Sequence, residues 1–332
     1  MTASGNPQSP GRRGTVVALC GGVGGAKLAL GLSRAVAGER LVIGVNTGDD
    51  FEHLGLHVAP DIDTVTYTLA GVANPETGWG RADETWNFMD ALGALGGETW
   101  FRLGDRDLAL NVERTHRLRA GESLSAITGR ICRSFGIGVS VLPMSDDPVR
   151  TLVDTDAGLL AFQRYFVQCQ CRPAVRSVRF EGAEAAGVQS ELAAALRRPD
   201  LRAVIICPSN PYLSIDPILS VAGKRGLLRN APAPVVAVSP VVGGTAVKGP
   251  MAKIMGELGL KVTHAAIANH YAGVIDGLMI DRPEDGIPRN VTVAVENTMM
   301  NTLDDRIALA RAALAFADAI AAAGRLPRKE WA

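Results

Sequence analysis

The chain has 332 residues, 47% of them hydrophobic and 20% charged: enough for one large domain or two smaller ones, and too apolar for extensive disorder. Thirty-four Lys and Arg balance thirty-four Asp and Glu, so a formal net charge of zero excludes the electrostatic footprint of a protein that binds long nucleic acid. No apolar run reaches bilayer length, and five scattered cysteines suit neither a disulfide framework nor a zinc knuckle, so a cytoplasmic protein without a membrane partner is expected.

Residues 1–14, MTASGNPQSPGRRG, are polar and Gly/Pro-rich and read as a flexible tail. TVVALC (15–20) is a continuous apolar run of the kind buried on both faces of a parallel sheet, and it meets Gly21, Gly22, Gly24 and Gly25. A helix is expected over 26–37. RLVIGVN (40–46) reads as a second strand, ending in Thr47-Gly48-Asp49-Asp50. Residues 75–170 carry Trp79, Trp86 and Trp100 with helical patterns over 83–95 and 123–135, and read as a largely helical insertion, or cap. A helix over 190–198 then leads to strand AVIIC (203–207) with Pro208-Ser209-Asn210-Pro211 at its tip. PVVAVS (234–239) runs into Pro240 and Gly243-Gly244, and helices follow over 250–258 and 304–323. Strands alternating with helices predict an α/β fold with a doubly wound, mostly parallel, Rossmann-like sheet built from 15–74 and 171–332. Ligands in such sheets bind at the carboxyl ends of the strands, so the polar tips are expected to share one cleft.

The glycine stretch is the first candidate site. Glycines let backbone N–H groups approach phosphate oxygens ahead of a helix N-terminus. Neither named fingerprint is complete: a dinucleotide loop begun at Gly22 has Lys27 in place of its last glycine, and a Walker loop begun at Gly21 has Ala26 and Leu28 in place of its final Gly and Ser/Thr. The stretch reads as a generic anion cradle, against a tight strand-to-helix turn without ligand. In NTGDDFEHLGLHVAPDIDT (46–64), Asp49, Asp50, Asp61 and Asp63 lie within fifteen positions. If extended, Asp61 and Asp63 point the same way and two carboxylate pairs could hold Mg²⁺ or Ca²⁺. The other readings are a ribose contact or simple turn and N-cap aspartates. His53 and His57, four apart, do not form a zinc motif. WFRLGDRDLALNVERT (100–115) packs Arg102, Asp105, Arg106, Asp107 and Arg114 around Gly104: a surface salt-bridge mesh by default, a phosphate or planar-ligand contact otherwise. Ser209, Asn210 and Ser214 lie in a proline-stiffened loop suited to phosphate or base recognition, and Lys248-Gly249-Pro250 enters a further helix. No nucleophile elbow or Cys–His pair stands out, so chemistry would rest on positioning and charge neutralisation.

Taken together, GGVGGAK, VNTGDD, the PD-x-DT-x-x-YTLAG string, GWG, DETWN, LGDRDLA, LPMSDDPV, PSNP, SIDPIL and AVSPVVGG with VKGP resemble, over roughly 15–285, the 2-phospho-L-lactate transferases of coenzyme F-420 biosynthesis. The resemblance implies a transferase that joins a guanosine-diphosphate-activated three-carbon acid to Fo, a deazaflavin with a ribityl chain, releasing GMP with Mg²⁺ as cofactor. It implies Asp49 and Asp61 as metal ligands, with Asp50 as a further candidate, and Asp63 and Arg102 at Fo, with Trp79 in a stacking surface on the cap. It places Gly21, Gly22, Gly24, Lys27, Ser209, Asn210 and Ser214 on the nucleotide side, and implies a homodimer. Asn111 and Asp216 depart from the residues common at those places, and the acid remains phospholactate, phosphoenolpyruvate or phosphoglycerate. A nucleotide-binding regulator with the same glycine and PSNP strings, and an NAD-type oxidoreductase, are the competing classes.

Overall fold

The computed structural model describes residues 14–246 and 250–324; the expected tail (1–13) and Lys248-Gly249 lie outside the described residues. Fourteen strands and eleven helices are described. The first half contains β1 (Thr15–Cys20), α1 (Gly22–Ala35), β2 (Leu41–Val45), the β3–β4 hairpin (Phe51–His53 and Leu56–Val58), α2 (Pro60–Ala70), α3 (Asn87–Ala94), α4 (Asp105–Arg119), α5 (Leu124–Ser134) and β5 (Ser140–Pro143). Next come β6 (Arg150–Thr155), β7 (Gly158–Ala161), β8 (Val175–Glu181), α6 (Ser190–Leu196), β9 (Leu201–Ile206), α7 (Asp216–Ser220) and α8 (Lys224–Arg229). The last part holds β10 (Val235–Val238), the β11–β12 hairpin (Val241–Val242 and Thr245–Ala246), α9 (Met251–Glu257), α10 (His264–His270), β13 (Gly277–Ile280), β14 (Thr292–Val295) and α11 (Leu303–Ala323).

Seven strands form one all-parallel sheet in the order β14-β13-β10-β9-β1-β2-β5. Counted in chain order that is 7-6-5-4-1-2-3, with the direction of winding reversing between β1 and β9. The apolar runs are continuous because both faces of each central strand are covered. Val17 and Leu19 face a core shared with α6, whereas Val16, Ala18 and Cys20 face one shared with α1, α2 and α11. Gly31 lets α1 approach α11 closely, since a Cβ there would overlap the Arg306 carbonyl. Thr302 and Asp305 form a reciprocal capping box that starts α11. Among the described residues no helix is long and apolar enough to cross a membrane.

The sequence reading placed four of the seven main strands. It missed β5, β13 and β14, which are only four residues long, and β14 is half-exposed at the edge. It also missed the antiparallel sheet β7-β6-β8. Residues 75–170 carry the helices α3, α4 and α5 joined by turns, then the strands β5, β6 and β7 and a helical turn Arg164–Gln168, and β5 pairs with β2 of the main sheet. The stretch 100–115 is not a surface mesh around a turn. It becomes α4, entered through reciprocal capping: Glu84 accepts the Arg106 and Asp107 N–H groups (2.8 and 2.9 Å), and Asp105 accepts from Phe88 N (3.1 Å) at the start of α3. The Thr85 hydroxyl first, then the Asn87 side-chain amide and the Phe88 N–H, lower the Asp105 pKa to about 2.

Lys224 is wholly buried, and its Nζ has no hydrogen-bond partner among the described residues. Desolvation lowers its pKa to about 7. Between about pH 7 and the unfolded value near 10.5 the native state binds fewer protons than the unfolded chain, so this group's destabilising effect is full below that window and fades as pH rises through it. Lys224→Met is therefore expected to stabilise the fold by about 1–3 kcal/mol at pH 6.5 and by much less at pH 10, measured by urea denaturation. A loss of stability at pH 6.5 would contradict this account.

Candidate functional site

The reversal between β1 and β9 opens a cleft at the carboxyl ends of the strands, where doubly wound sheets bind ligands. A cavity of about 920 Å³ occupies it. One half is lined by Gly21, Gly22, Gly24, Lys27, Ser209, Asn210 and Ser214, and the other by Trp79, Trp86, Trp100, Phe101, Arg102, Phe162 and Phe166; Asp49, Asp61 and Asp63 also line it.

The glycine stretch is not a loop ahead of a helix but the first turn of α1, which begins at Gly22 rather than at residue 26. Its glycines are required by close packing. A Cβ on Gly24 would overlap the Pro208 carbonyl, and one on Gly25 would lie 2.5 Å from Ser209 Oγ. Two of its N–H groups are already committed: Gly21 N donates to Ser209 Oγ (3.1 Å) and Gly22 N to Asp61 Oδ1 (2.7 Å). Val23 and Gly24, next in that turn, line the cavity, where first-turn N–H groups lack intrahelical partners. Asn210 Oδ1 caps the turn Pro211–Ile215 by accepting from Tyr212 N and Leu213 N. The Lys27 ammonium donates to the Met300 carbonyl at 3.1 Å.

Asp61 and Asp63 do not sit on an extended strand: Pro60 begins α2, and both occupy its first turn, where negative charge suits the helix dipole. They part there. Asp61 turns to the glycine turn and to Asn46, whose Nδ2 donates to Asp61 Oδ2 at 2.9 Å. Asp63 turns to Arg114, a wholly buried guanidinium that also donates to Asn111 Oδ1 (2.7 Å) and the His57 carbonyl (3.3 Å). Asn111, the departure noted in the sequence, is thus the far anchor of this arginine. Asp49 is buried, and its Oδ1 has no hydrogen-bond partner among the described residues. Asp50 faces away, accepting from His57 Nε2 at 3.1 Å, and is not among the residues lining the cavity. Arg102 stacks on Trp86, with its guanidinium carbon 4.3 Å from the ring centroid, and Trp79 is 59% exposed at the rim.

Burial pushes the Asp61 carboxyl up to about 6 and that of Asp63 to about 7, the latter despite Arg114. Asp49 is raised well above the ordinary range by burial first and by the nearby Asp61 charge second. Among the described residues no group of three or more His, Cys, Asp or Glu side chains could hold a metal. The donors nonetheless fit a hard cation of the Mg²⁺ kind, which is commonly held by one or two carboxylates and completed by substrate phosphates and water. Asp49 and Asp61 repel each other, and Asp49 presents an unpartnered buried oxygen. Sequence reasoning missed Asn46, Tyr67 and Gln163, and placed Asp107 and Arg114 only in a surface mesh or a phosphate or planar-ligand contact, not in a buried pair with α2. Asn46 lay within the VNTGDD string, but nothing in the linear order marks Arg114 as buried.

A match to the family described as 2-phospho-L-lactate transferase CofD spans residues 16–312. The chain is 40% identical to a phosphoenolpyruvate transferase of Streptomyces griseus, over 92% of this chain and 99% of that protein. It is 41% identical to a 2-phospho-L-lactate transferase of Methanopyrus kandleri over 89% and 95%, and 38% identical to one of Methanocaldococcus jannaschii over 91% and 97%. Among solved structures, a UPF0052 family protein of Bacillus halodurans shares the fold, with a TM-score of 0.52 at 16% identity over 82% of each chain.

Two outcomes follow from these charges. With raised folded pKa values, the native state holds more protons than the unfolded chain between about pH 4 and 7, so these carboxylates destabilise it increasingly as pH rises through that window. Metal-free Asp49→Asn should therefore melt above wild type at pH 7.5, with the difference vanishing toward pH 4; a lower melting temperature at pH 7.5 would refute the repulsion. Arg114→Met, which strands Asp63 in a buried site, should cost about 3–5 kcal/mol in urea denaturation, and adding Asp63→Asn should restore part of it.

Proposed function

The chain belongs to the 2-phospho-L-lactate transferase CofD family, and from that premise we propose that it transfers a phosphorylated three-carbon acid from a guanosine-diphosphate-activated donor to the ribityl hydroxyl of Fo, releasing GMP. The observation that most supports this reading is the composition of the cleft: an anion-binding half of helix N-terminus and short polar loops, an aromatic half, and carboxylates between them. That is what joining a diphosphate donor to a flat, ribityl-bearing acceptor requires.

On this reading the first turn of α1 and the loop Pro208–Ser214 receive the guanosine diphosphate end, with Val23 and Gly24 offering the uncommitted N–H groups. Trp79, Trp86, Trp100 and Phe166 flank the deazaflavin ring, and Arg102, held on Trp86, meets its polar edge or the chain leading from it. Asp63 has one oxygen on Arg114, so its orientation is fixed, and its other oxygen receives the ribityl hydroxyl and holds it in line for attack. Asp49 and Asp61 would hold the Mg²⁺, which when bound supplies charge neutralisation to the diphosphate oxygens. The attacking hydroxyl loses its proton, the new bond forms at the phosphorus bearing the acid, and the GMP phosphate leaves. Asp63 is the group placed to take that proton.

Identity to the phosphoenolpyruvate and phospholactate enzymes is nearly equal, at 40% and 41%, so overall similarity does not select the acid. Purified protein supplied with Mg²⁺, Fo and each of the three activated acids in turn should release GMP with one of them and form the corresponding Fo adduct. Asp49→Asn and Asp61→Asn should each lower turnover by about a hundredfold or more while remaining folded. Failure of all three donors to release GMP would overturn the proposal, and full activity in both variants would remove the metal assignment.

A further inference from the structure

His264 opens α10, is wholly buried, and uses both ring nitrogens: Nδ1 lies 2.8 Å from Ser239 Oγ and Nε2 lies 2.8 Å from Asp281 Oδ1. Ser239 follows β10 and Asp281 follows β13, so the three residues bridge the carboxyl ends of two adjacent strands. The order of groups is that of a serine-nucleophile triad, but two facts rule out that use. Ser239 borders the cleft yet is itself 0% exposed, and its Oγ already accepts the Val241 N–H at 3.3 Å. Proton accounting fixes the direction at the Asp281 end. Asp281, as a carboxylate, can only accept, and its Oδ2 also takes the Gly243 N–H at 2.7 Å. The ring nitrogen Nε2 therefore donates to Asp281, and Nδ1 and the Ser239 hydroxyl share the second hydrogen bond.

Both outer ends of this network terminate on one hairpin. β11–β12 has two residue pairs, Val241 with Ala246 and Val242 with Thr245, closed by Gly243 (φ 60°) and Gly244 (φ 79°). A hairpin this short does not hold a position by itself, so its place must come from docking. Ser239 and Asp281 supply that docking through the Val241 and Gly243 N–H groups. Val242 of the hairpin lines the cleft with Ser239 and Pro240, and because β10 neighbours β9, this wall adjoins Pro208–Asn210.

We infer that Ser239, His264 and Asp281 form a latch that holds the Val241–Ala246 hairpin as the outer wall of the anion-binding half of the cleft. The inference rests on the reading above only in assigning that half to the guanosine diphosphate end. His264 is a positioning residue: it touches no ligand and acts through the two groups that hold the hairpin.

Hydrogen–deuterium exchange on the full chain tests the latch directly. In His264→Ala, amides of 240–246 should exchange about tenfold faster while those of β1 and β9 keep their protection. Calorimetric affinity for GDP should fall about tenfold, and the donor KM should rise alike, with kcat and the Fo KM within about twofold of wild type. His264→Gln, which keeps a donor toward Asp281, should recover part of the protection. If His264→Ala exchanges faster throughout, Ser239→Ala replaces it, removing the Val241 acceptor and the partner of His264 Nδ1 while the ring stays on Asp281, and loosening the hairpin alone. Unchanged exchange in the hairpin overturns the latch, as does faster exchange with unaltered GDP affinity. Wild-type protein that does not bind GDP overturns the nucleotide assignment instead, and the exchange result by itself then decides the latch.

Discussion

The site depends on one buried carboxylate. Asp61 takes the Gly22 N–H on one oxygen and the Asn46 amide on the other, and Asn46 also reaches the Leu213 carbonyl at 3.3 Å. These bonds join the first turn of α1, the end of β2, the start of α2 and the turn after β9. Four segments far apart in sequence thereby share one small volume, and the glycines follow from it: a Cβ on Gly21 would overlap Asp61 and approach Ser214 Cβ to 2.8 Å. The arrangement carries a standing electrostatic cost, because Asp49 and Asp61 are buried together and burial raises both carboxyls. Such a cost is expected where folding consistency yields to function.

The second carboxylate of α2 is treated differently. Asp63 meets a buried arginine that Asn111 and the His57 carbonyl hold in turn, so its direction is set by α4. Tyr67, one turn later on α2, donates to Asp107 on α4 at 2.5 Å and reinforces the same helix pair. One turn of helix thus serves both halves of the cleft. Asp61 belongs to the nucleotide side through α1, and Asp63 to the aromatic side through α4. The reciprocal capping of α3 and α4 by Glu84 and Asp105 fixes where Trp86 and Arg102 stand, which is how exposed aromatic residues become a defined wall rather than a loose surface.

How much of this was legible in the sequence differs from residue to residue. TVVALC is recognisable as a doubly covered strand because every residue after Thr15 is apolar, and β1 has those bounds. Thr292–Val295 is not, because an edge strand of four half-exposed residues carries little periodic signal. The acidic density of 46–64 points to a site and leaves an extended pairing and a helix opening as alternatives; Pro60 makes it the first turn of a helix. Arg114 was taken for part of a surface mesh. Its burial depends on α4 packing beside β4 and α2, which no local pattern encodes.

The sequence by itself determined the alternation of strands and helices, the family, and the residue types gathered at the strand ends, because apolar runs, helix periodicity and fixed motif strings are properties of neighbouring residues. Only the tertiary structure decided which of those residues meet. It turned Asp50 toward His57 and away from the cleft, separated Asp61 from Asp63, committed the Gly21 and Gly22 N–H groups, and brought Ser239, His264 and Asp281 together from three separate elements. Hydrogen bonds and ion pairs act over a few ångströms between chain segments tens to hundreds of residues apart. Their partners are therefore chosen by how the sheet is wound, not by spacing along the chain.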